Sequence, residues 1–464
     1  MTHKNLPNAV KYIMTSLEKH GFEAFIVGGC VRDMVMEKEP TDWDICTSAL
    51  PNQTKEIFSE HKIIETGLKH GTITLILNSS FDRKDAKNTS TLSNNTTKNN
   101  HFEITTYRSD GLYKDFRHPE SIEFVKDIKT DLSRRDFTIN ALAFNPNTGI
   151  IDHFEGVNDI LNHKIKCVGN ADERFQEDAL RILRALRFAS VFDFHIENET
   201  KNAIIKHKGL LQNISMERIA IELNKLLLGD GVGRIIYDYF SVFEEIIPEM
   251  SQMKGFDQKN PYHRYDALTH TVKSIDFAPK DIYIRLTMLF HDIGKPICFT
   301  EENGRGHFYG HPEVSEKIAF KTLSRLKYDT NTIKIVSELI LYHNDEILPN
   351  KKNIKKWLNK IGEERFRQLL AVKKADTLAH SKIERDQKLA SQEAVLHILN
   401  EIIQQEQCFS LKDLAVNGKD LIELGLPEGA EIGKVLNQLL EMVIEEKIEN
   451  KKKVLLQYFL QFLT

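Results

Sequence analysis

Phe25-Ile-Val-Gly-Gly-Cys-Val-Arg-Asp33, continued by Thr41-Asp-Trp-Asp-Ile-Cys-Thr-Ser48, is the stretch whose reading decides the fold. Phe25, Ile26 and Val27 form a short apolar run suited to a buried strand, and Gly28-Gly29 lets the backbone turn and approach a ligand with no Cβ in the way. Successive main-chain N–H groups at such a turn can hold phosphate oxygens. Asp42 and Asp44 stand two apart, so a strand here points both carboxylates to one face and Trp43 and Ile45 to the other. Two carboxylates on one face share hard cations. That suits phosphoryl transfer from a nucleoside triphosphate, in which one Mg²⁺ activates the attacking hydroxyl and a second neutralises the leaving pyrophosphate. Arg32 opens an amphipathic stretch where it can face triphosphate oxygens, with Asp33 orienting it or capping the helix. Alone, Gly-Gly reads as a turn and Asp-x-Asp as solvated surface. In this order, about a dozen residues apart and each beside an apolar run, they point to a nucleotidyl-transfer centre.

At 464 residues the chain exceeds one ordinary core, and roughly two to four domains are expected. A formal net charge of −4 provides no global field for nucleic acid, so RNA binding has to come from local basic faces. Lys351-Lys-Asn-Ile-Lys-Lys356 and Lys451-Lys-Lys453 are the candidate runs, although such runs are usually solvated faces. Cys30, Cys46, Cys167, Cys298 and Cys408 are scattered with no C-x-x-C pair, the usage of a reducing compartment. The N-terminus carries no charged-then-apolar leader, and no apolar run approaches the roughly 18 to 20 residues needed to cross a bilayer. A cytoplasmic protein without a membrane partner is expected. Val454 to Leu463 is apolar but short, and reads as a terminal packing helix.

Residues 5 to 20 carry apolar side chains at helical spacing (Val10, Ile13, Met14, Leu17) and stop at Gly21. Pro51 to His61 suggests another helix. Gly71-Thr-Ile-Thr-Leu-Ile-Leu77 and Phe102-Glu-Ile-Thr-Thr-Tyr-Arg108 have the alternating, β-branched character of paired strands. Asn78 to Asn100 between them, rich in Asn, Ser, Thr and Lys, reads as a mobile hairpin loop. Glu103, between Phe102 and Ile104, is a third carboxylate for the metal site or a solvent-facing strand glutamate.

Asp131-Leu-Ser-Arg-Arg-Asp-Phe-Thr-Ile-Asn-Ala-Leu-Ala143 sets two guanidinium groups and a carboxylate before a semi-apolar run. Paired arginines present planar forks to the oxygen pairs of triphosphate and ribose. In Glu177-Asp-Ala-Leu-Arg-Ile-Leu-Arg-Ala-Leu-Arg187, Ala179, Ile182, Leu186 and Ala189 make a helical stripe, and Asp178 and Arg181, three apart, are expected on one helix face. Cytosine and adenine each present an amino donor beside a ring-nitrogen acceptor, while uracil and guanine present the reverse. A carboxylate acceptor beside a guanidinium donor matches C and A. The alternative is a surface salt bridge. Glu217-Arg-Ile-Ala-Ile-Glu222 repeats the theme of charges on a helix and is placed to buttress that face.

Taken together, Gly-Gly-x-x-Arg-Asp, Asp-Trp-Asp, Arg134-Arg-Asp-Phe-Thr-Ile-Asn140, Glu177-Asp-x-x-Arg181 and Glu217-Arg-x-x-x-Glu222 resemble, in order and spacing, the bacterial tRNA nucleotidyltransferase/poly(A) polymerase family over about residues 20 to 230. The resemblance implies that Asp42 and Asp44 hold the catalytic metals. It implies that Arg134, Arg135 and Asp136 touch sugar and triphosphate, and that Asp178 and Arg181 form a protein template for CTP and ATP. Gly28, Gly29, Arg32, Asp33, Asn140, Arg184 and Arg187 complete the implied nucleotide-binding set. Tyr107-Arg-Ser-Asp-Gly-Leu-Tyr-Lys-Asp-Phe-Arg-His-Pro119 resembles the family's flexible loop region, and the insertion 78–100 departs from the usual short hairpin.

The second half is helical by pattern and carries His270, the doublet His291-Asp292, His311, His343 and Asp376. Imidazoles and carboxylates in this order resemble the HD phosphohydrolase module, whose helices gather such ligands around one or two divalent metals (Mn²⁺, Ni²⁺ or Mg²⁺). The doublet follows Leu286-Thr-Met-Leu-Phe290, the inner end of a buried helix that Gly294-Lys-Pro296 terminates. Beyond Ser410, Leu414-Ala-Val-Asn-Gly-Lys-Asp-Leu421 and Gly425-Leu-Pro-Glu-Gly-Ala-Glu-Ile-Gly433 resemble the tail of family members from Gram-positive bacteria, which implies a hold on the tRNA elbow; a plain helical cap is the alternative.

The expected architecture is α+β: a small mixed-sheet nucleotidyltransferase head (1–150), a helical neck selecting the nucleotide (151–230), an HD-type helical domain (231–400) and a helical tail (401–464). The expected reaction is addition of C and A to the tRNA 3′ end from CTP and ATP with Mg²⁺. Partial CC or A addition, poly(A) synthesis, and a metal phosphohydrolase with a regulatory head remain as alternatives. The sequence does not address oligomeric state.

Overall fold

The computed structural model describes residues 6–77, 101–111, 120–260, 265–383 and 385–463. The polar insertion 78–100 and positions 112–119 of the expected flexible loop region lie outside the described residues. The chain forms two compact units, Met1–Gly231 with Tyr239–Ile246, and Val232–Asp238 with Ile247–Thr464.

In the first unit α1 (Asn8–Lys19) buries Val10, Ile13, Met14 and Leu17 on one face, as their spacing predicts. Beyond it the chain turns through Gly21, whose φ of 84° favours glycine. The strands are β1 (Ala24–Val27), β2 (Asp44–Thr47), β3 (Lys62–Ile64), β4 (Thr72–Ile76), β5 (His101–Thr106), β6 (Arg108–Asp110), β7 (Ile122–Phe124), β8 (Leu142–Asn145) and β9 (Gly149–Asp152). Among the described residues, seven make one sheet in the order β3-β4-β5-β2-β1-β8-β9. The sheet is mixed, because β2 and β5 run parallel while β1 pairs antiparallel with both β2 and β8. β4 and β5 pair antiparallel, as their alternation predicts. All four residues of β1 are buried, which is why it reads as a continuous apolar run rather than an alternating one.

Short helices α2 (Gly29–Val35), α3 (Pro51–Ile57) and α4 (Ile128–Ser133) border the sheet, and α5 (Gly156–Leu161), α6 (Ala171–Glu177), α7 (Leu180–Phe192), α8 (Asn198–His207) and α9 (Met216–Leu227) follow it. Helix α7 buries Ile182, Leu186 and Ala189 and packs on α9. Ser190 Oγ donates to Leu226 O at 2.8 Å, and a Cβ on Gly229 would lie 2.2 Å from Ser190 Oγ, so the chain after α9 passes where only glycine fits.

Of the next two helices, α10 (Val232–Asp238) belongs to the second unit and α11 (Phe240–Ile246) to the first. The second unit continues with α12 (Ala267–Phe277), α13 (Ile282–Phe290), α14 (His311–Arg325), α15 (Thr330–Tyr342), α16 (Lys351–Ala379) and α17 (Arg385–Gln404). Helix α16 is interrupted at Gly362, which has φ 76°. The C-terminal α18 (Gly418–Glu423), α19 (Ala430–Ile444) and α20 (Lys452–Leu463) gather a separate small core that includes Leu421, Leu439, Leu440, Val443, Leu455 and Phe459. No described helix is long and apolar enough to cross a membrane.

Candidate functional site

The head carboxylates meet at one end of β2. Asp44 is its first residue and sits in register with Glu103 of β5, so strand pairing sets these two side by side. Asp42 lies outside the strand. The expected strand through both aspartates is thus shorter than the sequence suggested, because pairing with β1 ends at Ile45 and pairing with β5 at Asp44, leaving nothing for Asp42 to pair with. The three carboxylates still feel one another. Burial and the charges of Glu103 and Asp42 raise the pKa of Asp44, against the opposing pull of Arg135. Such repulsion is what a bound cation relieves.

Gly28 has φ 77°, and its N–H donates to Leu142 O at 2.9 Å, extending the ladder between β1 and β8 by one bond. That amide is therefore engaged with the protein, and the N–H groups that can meet an anion are those of Gly29 onward in α2. A Cβ on Gly28 would lie 2.9 Å from Arg135 Nη1, so the glycine also makes room for the arginine. Arg32, on α2, donates from Nη1 to Asn140 Oδ1 at 2.6 Å and from Nη2 to Asp33 Oδ1 at 2.7 Å. Its guanidinium lies 4.7 Å from the ring centroid of Phe192.

Asp131 is the residue that aligns the two arginines, a role the sequence reading missed. Its side chain is fully buried, accepts from Arg134 Nε at 3.0 Å and Arg135 Nη2 at 3.4 Å, and also takes the Arg108 backbone N–H. Asp136 is buried and accepts from Asn140 Nδ2 at 3.1 Å and from Arg184 Nε and Nη2 at 2.8 and 2.5 Å. Burial alone would raise its pKa, but Arg184 and Asn140 hold it down at about 2.

Asp178 and Arg181 do not share a helix. Asp178 has φ −137° and ψ 102°, in the break between α6 and α7. The cause is the preference of a short carboxylate for capping: Asp178 Oδ1 accepts the Leu180 N–H at 3.0 Å. Arg181 lies in the first turn of α7, donating from Nη1 to Glu177 Oε2 at 2.6 Å and from Nη2 to Arg134 O at 3.1 Å. Both therefore belong to the N-terminal end of α7, on different elements. Helix α9 buttresses Asp178 and Arg187. Arg218 Nη2 reaches Asp178 Oδ2 at 3.3 Å, and Glu222 Oε2 reaches Arg187 Nη1 at 3.2 Å. Burial lowers the pKa of Arg187 to about 10 despite Glu222, and its guanidinium stacks 4.1 Å from the Phe188 centroid.

The second unit gathers every histidine and aspartate of the HD-like set. His270 comes from α12, His291-Asp292 follows α13, His311 opens α14, His343 closes α15 and Asp376 lies near the end of α16. His270 Nε2 and His291 Nε2 are 3.4 Å apart, and His311 Nε2 and His343 Nε2 are 3.2 Å apart. Asp292 lies between the pairs, Oδ2 being 3.3 Å from both His270 and His291, and Oδ1 3.5 Å from His311 and 3.9 Å from His343. Asp376 Oδ1 is 2.9 Å from His270 and 3.4 Å from His291.

Nδ1 of His291, His311 and His343 faces the carbonyls of Met288, Phe308 and Ile340 at 2.8, 2.9 and 2.6 Å. Donation there turns each Nε2 lone pair into the cluster, the arrangement of metal-ligating imidazoles. With metal–nitrogen bonds of about 2.1 Å, these Nε2 separations correspond to angles of roughly 110° and 100° at a shared ion. The donor set therefore fits divalent metal. Burial disfavours charge on His291, yet Asp292 and Asp376 push its pKa up to about 10, whereas burial takes His343 down to about 3. His380, absent from the sequence reading, joins His270 and Asp376 in a third close set. Its position four residues after Asp376 was the available signal. Among the described residues, sets of three or more ligating atoms within 4.8 Å of one another all lie in this unit.

The candidate basic runs are largely engaged within the protein: Lys351 with Glu401 at 2.7 Å, Lys356 with Glu445 at 3.0 Å, and Lys452 with Asp420 at 2.5 Å.

A mixed-sheet head with clustered carboxylates and arginines defines a nucleotidyltransferase. Accordingly, residues 24–166 match the family model described as Poly A polymerase head domain, 193–253 that described as probable RNA and SrmB-binding site of polymerase A, and 308–459 that described as tRNA nucleotidyltransferase domain 2 putative. The chain is 31% identical to a CCA-adding enzyme of Lactococcus lactis subsp. cremoris, over 96% of this chain and 94% of that one. It superposes on the crystal structure of Bacillus stearothermophilus CCA-adding enzyme in complex with CTP with TM-score 0.68 and 26% identity, covering 98% of this chain and 96% of that one. Its fold is also that of a Thermotoga maritima CCA-adding enzyme complexed with tRNA, with TM-score 0.61 and 20% identity, covering 99% and 97%. The chain belongs to the family of CCA-adding enzymes.

Proposed function

We propose that this protein adds CCA to the 3′ end of tRNA from CTP and ATP. The observation that carries this is similarity over 96% of its length to a CCA-adding enzyme. In the reaction the terminal ribose hydroxyl attacks the α-phosphorus of the bound nucleotide, a new phosphodiester forms, and pyrophosphate leaves.

Asp42 and Asp44, with Glu103 beside them, are the residues to hold Mg²⁺, which when bound neutralises charge on the attacking and leaving oxygens. Arg32, Arg134 and Arg135 face the triphosphate, held in place by Asp33 and Asp131. Asp136 orients the sugar side together with Arg184 and Asn140. Asp178 accepts from the exocyclic amine of C or A and Arg181 donates to the adjacent ring nitrogen, so U and G meet donor with donor and acceptor with acceptor. The tail from residue 401 meets the tRNA elbow, and the enzyme works in the cytoplasm. Incubation with each NTP and a tRNA lacking CCA tests this directly: C and A added in order supports it. Growth of a poly(A) tract, or only C or only A, places the protein with the partial or poly(A) enzymes.

A second activity rests on the paired imidazoles of the helical unit, at 3.4 and 3.2 Å. His270, His291, Asp292, His311, His343 and Asp376 are the residues to hold divalent metal, which would supply an activated water for phosphoester hydrolysis. Metal content and cleavage of a generic phosphodiester under Mn²⁺, Ni²⁺ or Mg²⁺ decide whether this unit is an enzyme or a scaffold.

A further inference from the structure

Asp292 divides the buried cluster into two unequal halves. Oδ2 accepts from Lys295 Nζ at 2.6 Å and faces His270 and His291, both also within 3.4 Å of Asp376 Oδ1, while Oδ1 faces His311 and His343. Counted without other residues, the first half offers two imidazoles and two carboxylates, and the second two imidazoles and one carboxylate oxygen. His380 widens this difference. It follows α16, four residues after Asp376, with its ring stacked on His270 at 5.1 Å between centroids and 20° between planes. Its Nε2 is 3.6 Å from Asp376 Oδ1, and His270, Asp376 and His380 have ligating atoms that all lie within 4.8 Å of one another. The side chains of Asp376 and His380 keep 19% and 15% of their exposure, against 8% or less for His270, His291, Asp292, His311 and His343, so this edge of the cluster is its more open side.

We propose that His380 is a further metal ligand of the helical unit, joining His270, His291, Asp292 and Asp376 around one divalent ion, while His311, His343 and Asp292 hold a second. The inference rests on the reading of this cluster as a metal site. Five protein donors leave little room for exogenous groups, so the first ion is tightly held. Three protein donors leave positions for water and substrate, as in catalytic rather than structural metal sites. The second ion, held by fewer protein donors, is accordingly the exchangeable one.

The test uses the full-length protein loaded with Mn²⁺ and then dialysed, with ion content measured by mass spectrometry and affinities by Mn²⁺ titration. The wild type is expected to retain one ion per chain and to bind a second reversibly. His380→Ala and His380→Gln are expected to weaken the retained ion by more than the roughly 10- to 100-fold that follows loss of a group holding a ligand from outside the coordination shell. His380→Asp, which supplies an anionic oxygen in place of the imidazole nitrogen, recovers part of that loss, and His343→Ala weakens the reversible ion instead. Unchanged affinities in both His380→Ala and His380→Gln overturn the ligand assignment while leaving the metal site standing. No stoichiometric ion in the wild type overturns the metal reading itself and this inference with it. Thermal unfolding of each variant with chelator, matched to wild type with chelator, separates ligand loss from misfolding.

Discussion

Arg184 and Asp136, 48 residues apart in sequence, form a two-pronged ion pair, Nε at 2.8 Å and Nη2 at 2.5 Å from the same carboxylate oxygen. It ties the first helix after the interhelical break to the Arg-Arg-Asp segment of the head. Arg184→Ala leaves a buried carboxylate with only neutral partners and is expected to destabilise the first unit by about 2–3 kcal/mol at neutral pH. The folded pKa of Asp136 lies at about 2, below the ordinary 3.8, so its stabilisation is full above the latter and disappears as pH falls through the former. The deficit of Arg184→Ala in denaturant melts should therefore shrink as pH approaches 2, and a constant deficit would show that lost packing on Phe188 dominates.

Asp44 works in the opposite sense. Its folded pKa is raised, first by burial and then by Glu103, so the ionised carboxylate opposes folding at any pH above the unfolded value of 3.8. Asp44→Asn should raise Tm at neutral pH in chelator, the gain fading as pH falls through the raised folded pKa and gone by 3.8. Mg²⁺ should narrow the gap, because the ion offsets the repulsion in the wild type. The same substitution, and Asp42→Ala, should lower nucleotide addition by orders of magnitude. Turnover within a few-fold of wild type for both would refute the carboxylate assignment.

Base choice is read out by four-nucleotide kinetics. Two buried polar mismatches, each costing roughly 1–3 kcal/mol, give discrimination on the order of tens to tens of thousands against UTP and GTP. Asp178→Ala and Arg181→Ala should lose C and A incorporation and relax that bias. Arg218→Ala, which removes only the ion pair behind Asp178, should keep the preference and raise KM by about five-fold. A kcat/KM profile still strongly selective in both Asp178→Ala and Arg181→Ala would mean the base is read elsewhere.

The histidine cluster is separable from this chemistry. The double variant His291→Ala with Asp292→Ala should bind less divalent metal and cleave no phosphodiester, yet extend tRNA at the wild-type rate. A matching loss of extension would show that the helical unit contributes more than hydrolysis.

Much of this was legible because its determinants are local. Val10, Ile13, Met14 and Leu17 repeat at helical spacing, and the glycine pair and Asp-x-Asp sit beside apolar runs whose pairing needs no further information. The order of the histidines along the second half anticipated a cluster that the fold does assemble. What escaped was where an element starts or stops. Asp42 falls outside β2 because its pairing partners end at Asp44, and Asp178 breaks α6 from α7 because its carboxylate caps the next helix. Neither boundary follows from hydrophobic period. Asp131 was hidden for another reason: its role depends on being fully buried beneath two arginines, and burial of a charged side chain is a tertiary property.

The central place of β1 bears on how the protein is made. Its Ile26 and Val27 pair with Phe144 and Ala143, so a strand translated at the start waits for one translated more than a hundred residues later. Throughout that interval the growing polypeptide presents Ala24-Phe25-Ile26-Val27 with one hydrogen-bonding edge bare, a template for any other unpaired strand nearby. Ribosomal pausing or premature release before Leu142 would thus yield an adhesive fragment, and completion of β8 is the event that closes that edge.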